Sequence, residues 1–202
     1  MMTSLSPLHA IFSFFCTLIA VFYLFRLIGG RAYLLHFDAE NEIGHGLMAS
    51  GMIVMLAQVS NLSSGLIRWN ILLFALAALW WTVRLFARKP LLAFGSRTNR
   101  ERSTFQSDAI HILMHVGMCY MFLLMNSMAF SMTRPAIYAN CVFFVSFAFL
   151  TLFYGRAISN DLQAAKIDQL QLGANLAHLL MSGIMGWMFL EMISMTMNMG
   201  VL

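Results

Sequence analysis

Six apolar runs divide this chain, and nearly all of its charge lies between them. The runs cover residues 8–30, 43–62, 65–87, 109–132, 135–155 and 174–202. Each is close to the roughly 20 residues that a bilayer-spanning helix requires. Of the 202 residues, 60% are hydrophobic and 10% are charged, whereas a soluble domain carries about 25% charged residues. So much apolar surface cannot be hidden inside one small globule, and lipid is the alternative solvent. An all-α integral membrane fold of six transmembrane helices is therefore expected, as a single membrane domain over 1–202. The second run is the most dilute, through Gly44, Gly46, Ser50, Gly51, Gln58 and Ser60. Small residues are accepted where helices pack closely in lipid, so it is retained as a crossing.

The charges predict an orientation. Arg26, Arg31, Arg84, Arg88, Lys89, Arg97, Arg100, Arg102, Arg156 and Lys166 fall at or after the odd-numbered runs, and only Arg68 and Arg134 fall on the other side. Basic loops stay in the cytoplasm, which predicts both termini outside, in the periplasm if this is a bacterial inner membrane. In this reading Arg26, Arg84 and Arg156 are topology anchors. Residues 95–107 read as a flexible loop. No Lys or Arg precedes the first run, and it is long enough to cross, so it reads as a retained helix and not as a cleaved signal. The formal net charge is +4, but the basic residues form no patch with interleaved aromatics, and no nucleic-acid partner is expected. Cys16, Cys119 and Cys141 are isolated within apolar runs and read as small buried hydrophobes.

A pattern recurs in alternate runs. The second contains Glu42, His45, Met48, Met52 and Met55; the fourth contains Asp108, His111, Met114, Met118 and Met121; the sixth contains Asn175, His178, Met181, Met185 and Met188. The common form is [E/D/N]-x2-H-x2-M-x3-M-x2-M, and the histidines lie 66 and 67 residues apart. Fixed internal periods mark tandem units, here residues 8–62, 65–132 and 135–202, each of two helices. Steps of three and four residues place each set on one helical face with the spacing of a left-handed bundle. The expected architecture is a pseudo-threefold bundle with the even helices inside and the odd helices packed around them. His45, His111 and His178 would form a layer near the cytoplasmic face, with Met layers stacked beyond it. The stripe runs on through Met125, Met128 and Met132 in the fourth run and Met192, Met195 and Met199 in the sixth. Gly51, Gly117, Ser182, Gly183 and Gly186 would allow close backbone approach.

Methionine is an ordinary packing residue, and a single buried Met carries no information. Here the register repeats three times, avoids the Leu and Ile that fill cores with better-defined rotamers, and begins at a His with a polar residue before it. Thioether sulfur is a soft, neutral donor that selects Cu(I), with Ag(I) as its surrogate. Zinc would prefer His, Cys or carboxylate, which within the repeated pattern are confined to one end. The metal-site candidates are His45, Met48, Met52, Met55, His111, Met114, His115, Met118, Met121, His178, Met181, Met185 and Met188. Glu42, Asp108 and Asn175 would orient the imidazoles from one turn away; acidic residues in a first turn also meet the helix dipole favourably. His115 has no counterpart in the other units, while His9 and His36 read as interfacial. A haem could use His and Met ligands, but it needs one on each face of a ring and not a ladder. No nucleophilic triad, phosphate-binding loop or pair of catalytic carboxylates can be drawn, so an enzyme is not expected.

The pairs Met48/Met52, Met114/Met118 and Met181/Met185 resemble the Met-x3-Met selectivity filter of the Ctr copper-transporter family, whose trimers place one such motif per subunit around a threefold pore. The resemblance covers the motif alone. In that family the Met layers lie near the extracellular mouth, whereas here the repeated core begins on the side predicted to be cytoplasmic. The His/Met spacing and the length also resemble an uncharacterised family of small bacterial membrane proteins. The expectation is thus a Cu(I)-binding membrane protein that conducts, relays or stores copper, with a copper enzyme or larger membrane complex as a partner. Two alternatives stand beside it: a metal-free accessory subunit of a respiratory or oxidase complex, and a haem-binding membrane protein.

Overall fold

A computed structural model describes residues 7–33, 38–56, 63–87, 104–126, 133–163 and 169–198. They form six helices: α1 (Pro7–Tyr33), α2 (Ala39–Leu56), α3 (Ser64–Ala87), α4 (Thr104–Asn126), α5 (Arg134–Gln163) and α6 (Gln169–Asn198). Two compact units are present, the first containing α1 to α4 and the second α5 and α6. In the first, α1 packs on α2, α3 packs on α4, and α2 touches α4; in the second, α5 packs on α6.

Local chemistry sets the helix starts. Pro7 occupies the first helical position of α1, where its missing N–H has no partner to lose. Asp38 caps α2, its Oδ1 accepting from the Glu40 and Asn41 amides at 3.1 and 3.4 Å. Ser63 caps α3 through its carbonyl and hydroxyl, both of which accept from the Leu66 amide. The helix expected from residue 109 begins five residues earlier, so 104–107 belong to α4; the rest of the expected loop, like His36, Met128, Met132 and Met199, lies outside the described residues. Asp108 consequently sits beyond the first turn of α4, and the helix-dipole role does not apply to it.

Among the described residues, five helices are long and apolar enough to cross a membrane: α1, α3, α4, α5 and α6. The described part of α2 has 18 residues with Glu40 and Glu42 in its first turn, a length of about 27 Å against a hydrocarbon core near 30 Å. More than half of α2 is buried against its neighbours, which is how a helix so rich in Gly and carboxylate is accommodated. The spanning windows of α1, α3 and α5 are 17%, 17% and 28% buried, against 50% and 44% for α4 and α6. The odd helices therefore expose most of their apolar surface, including Phe25, Ile28, Phe86, Phe149 and Leu152. That distribution fits a lipid solvent: five apolar helices of this kind make an integral membrane protein.

Each odd helix buries a narrow stripe, with Cys16, Ile19 and Tyr23 in α1, Phe74 and Trp81 in α3, and Phe147, Leu150 and Tyr154 in α5. Cys119 is half-buried and donates weakly to the Ile71 carbonyl at 3.6 Å, while Cys141 is exposed and departs from the buried role expected of it. His9, expected at an interface, is buried.

Glycine lets α2 reach its neighbours. A Cβ on Gly51 would overlap the Phe74 ring and lie 2.7 Å from Met118 Cε; one on Gly44 would lie 3.0 Å from Trp81 Cζ2 and 3.2 Å from His111. The two positions are one heptad apart, so α3 and α4 press on the same side of α2 twice. A Gly51→Leu substitution is expected to destabilise the protein by about 1–3 kcal/mol through overpacking. It would appear as a lowered thermal midpoint in detergent. Gly46→Ala, where a Cβ meets nothing within 4 Å, is the matched control and should leave the midpoint unchanged or slightly raised.

Arg84 joins three helices. Its side chain is 3% exposed; Nη1 donates to Glu40 Oε2 at 2.6 Å and to Asp38 Oδ1 at 3.2 Å, Nη2 donates to Asp38 Oδ2, and Nε lies 3.1 Å from Asp108 Oδ1. The contact with Asp108 is an ion pair without good hydrogen-bond geometry. Arg84, read from the sequence as a topology anchor, is thus a buried counterion. Removing one member of such a group leaves unpaired buried charge, typically at a cost of about 3–5 kcal/mol. Arg84→Met should therefore yield little folded protein, and Asp108→Asn added to it should recover part of the yield, measured by monodisperse elution in detergent.

Candidate functional site

The sequence stripes face inward where the helices pack. Met48, Met52, Met55, Met114, Met118, Met121, Met181 and Met185 are all buried, and Met188 is half-buried. Farther along, Met125 is 41% and Met195 is 53% exposed. The buried part of the ladder is thus shorter than the sequence periodicity suggests.

In the first unit the His layer is built by α2 and α4 and closed by rings from α1 and α3. His45 and His111 meet edge to face, with centroids 4.3 Å apart. Tyr23 stacks on His45 at 4.7 Å and Trp81 stacks on His111 at 3.9 Å, nearly parallel. His115, one turn beyond His111, is fully buried beside Phe74 and Trp81. In the second unit Tyr154 stacks on His178 at 4.7 Å, and His178 is half-buried. In all three helix pairs, then, an aromatic ring on the odd helix covers the histidine of the even helix.

Hydrogen bonds decide which ring nitrogen carries the proton. The Nδ1–H groups of His45, His115 and His178 donate to the carbonyls of Asn41, His111 and Ala174, four residues earlier, at 2.7, 2.7 and 2.6 Å. A carbonyl can only accept, so in the neutral rings the lone pair lies on Nε2. His111 is held differently: its Nε2 is 2.6 Å from Asn41 Oδ1, which leaves the lone pair on Nδ1. Asn41 therefore grips two histidines, one through its carbonyl and one through its side chain, and Ser107 donates to the same Oδ1 at 3.4 Å.

The polar residues three positions before each His do not reach an imidazole. Glu42 accepts a two-pronged pair from Arg26, with Nε and Nη2 at 2.8 and 2.7 Å. Asp108 faces Arg84, and Asn175 donates to Asp161 Oδ2 at 2.6 Å. The guanidinium of Arg84 also lies over Trp81 at 4.7 Å, so the ring that stacks on His111 is in contact with the ion cluster as well. In the first unit two guanidinium groups face four carboxylates (Asp38, Glu40, Glu42 and Asp108) beside the His pair.

Sequence reasoning missed the covering rings, Asn41 and the role of Arg84. A signal for some of them existed: Tyr23 and Arg26, like Trp81 and Arg84, are three residues apart, and Asn41 is one turn before His45 on the same face. Among the described residues no group of three or more His, Cys, Asp or Glu side chains is placed to hold a metal ion. A metal held here would have to draw on Met sulfur, the donor that buried, neutral, soft side chains can offer.

Comparisons with curated proteins and with solved structures give no significant match. A family match does exist, to DUF5134, a domain of unknown function, over residues 37–192. That span runs from the capped start of α2 to Met192 in α6 and takes in His45, His111, His178 and the buried Met ladder. The chain belongs to the DUF5134 family.

Proposed function

We propose that this is a Cu(I)-binding membrane protein that crosses a bacterial inner membrane six times, with both termini in the periplasm. It is built from three tandem two-helix units around a pseudo-threefold axis, with the even helices inside. The observation that carries this reading is the donor set: buried thioethers begin one turn beyond histidines whose protons are committed elsewhere. Cu(I) is stabilised by neutral sulfur and imidazole nitrogen, and neither donor must lose a proton when the ring is already neutral. His45, His111 and His178 would supply nitrogen at the cytoplasmic end, and Met48, Met52, Met114, Met118, Met181 and Met185 would supply sulfur.

The recurrence of an aromatic ring over each histidine supports the three-unit reading, since similar contacts in three helix pairs are what tandem copies would produce. The carboxylate excess beside the His pair would favour a cation at that end. Weak, closely spaced thioether sites suit transfer from layer to layer, because conduction requires binding that is not too tight. A membrane potential negative inside would favour inward movement by about 2.3 kcal/mol per unit charge per 100 mV. Storage, or delivery to a copper enzyme, would use the same ligands.

Purified protein loaded with Cu(I) under reducing conditions is expected to retain one or more metal ions per chain through gel filtration. A Met48→Leu/Met114→Leu/Met181→Leu variant should lose them while remaining folded, because Leu and Met have similar volumes. Copper uptake into vesicles that depends on those residues identifies conduction; tight binding without uptake identifies storage. A folded wild type that retains no copper overturns the metal reading. The ladder would then be packing in an accessory subunit of a larger membrane complex, a role favoured by the tight seat of Met118 against Gly51.

A further inference from the structure

A groove of about 260 Å³ runs between α2 and α3 and reaches α4. Its lining is apolar (Ile43, Gly44, Leu47, Ala77, Trp80 and Trp81) except for Glu40 at one side and His115. Glu40 is already ion-paired to Arg84. His115 is fully buried, and its Nε2 has no hydrogen-bond partner among the described residues. Its Nδ1–H is committed to the His111 carbonyl at 2.7 Å, so in the neutral ring Nε2 can only accept. A buried acceptor left without a donor is costly, which calls for a partner from outside the chain.

We infer that this groove is a binding site for a single-ring, hydroxyl-bearing amphiphile, a phenol or hydroquinone headgroup, whose O–H donates to His115 Nε2. Size sets the ring count: a cavity of about 150 Å³ holds a benzene ring, so 260 Å³ accommodates one substituted ring. Polarity sets the chemistry, since the walls are largely apolar and the buried, unpartnered His115 Nε2 is an acceptor, which a ligand hydroxyl complements. The route is set by the rim, where Ile43 is 48% and Trp80 is 39% exposed on the apolar outer surface. A ligand dissolved in the bilayer can therefore enter sideways without crossing the ion cluster. Trp81 separates this groove from His111, which it stacks upon. The site thus lies beside the His/Met ladder: it takes His115, one of the metal candidates read from the sequence, as its own polar group and leaves the His45, His111 and His178 nitrogens unused.

The groove contains its own reporters in Trp80 and Trp81. Purified full-length protein in detergent should show saturable tryptophan quenching by 4-bromophenol. 4-Bromoanisole, which has the same ring and bromine but no O–H, should bind about tenfold more weakly. Replacing His115 with Phe should bring the two compounds level. Ala77→Phe, which fills the groove and leaves His115 in place, should abolish the saturable phase for both. Equal quenching of the wild type by phenol and ether would overturn the inference, since it marks simple partitioning into the micelle. So would an unchanged preference for the phenol in a folded His115→Phe protein. The comparison of the two compounds on the wild type stands even if one variant fails to fold.

Discussion

The rest of the first unit depends on the burial of one guanidinium. Arg84 sits almost out of reach of solvent on α3, and a charge there is tolerable only because carboxylates from two other helices surround it. Asp38 and Glu40 bring the start of α2 to it, and Asp108 brings α4. Asp38 also caps α2, so the residue that starts the helix is the one that ties it to its neighbour. At that level Trp81 touches both the guanidinium and His111, and the imidazole is further held by Asn41. A structural ion cluster thereby becomes a positioning device for the candidate site.

The histidines illustrate how a membrane interior controls ligand chemistry. Water is scarce there, so each ring satisfies one nitrogen within the protein, and the partner it finds determines which lone pair remains available. Three rings choose the carbonyl four residues back in their own helix, a local solution open to any helical His. His111 instead reaches across to Asn41 and couples α4 to α2. The aromatic covers add apolar area and close one face of each ring, which leaves the edge and its lone pair as the reactive feature.

Much of this was legible in the apolar runs and in the spacing of a few residues. The helices α1, α3, α4, α5 and α6 correspond to the long runs because some 20 apolar residues have few alternatives to a helix in lipid. The inward face of the Met stripes followed from steps of three and four residues, and the eight innermost methionines of the three stripes are buried. The outer end of the stripes was overextended: periodicity says which residues share a face, but not how far along that face a neighbour reaches, and Met125 and Met195 are exposed. The ion pairs of Arg84 were not legible for a related reason. A basic residue near a helix end has the same sequence appearance whether it meets headgroups or three carboxylates from elsewhere in the chain.

What the sequence determined by itself was the solvent, the helices and the faces they bury, because hydropathy and helical period act over a few neighbouring residues. Only the tertiary structure decided which side chains meet. Asn41 bridging His45 and His111, Trp81 lying flat on His111, and the groove that ends at His115 all join residues from different helices. Their distances are fixed by packing at Gly44 and Gly51, where the absence of a side chain lets α2 come close enough for those contacts to form.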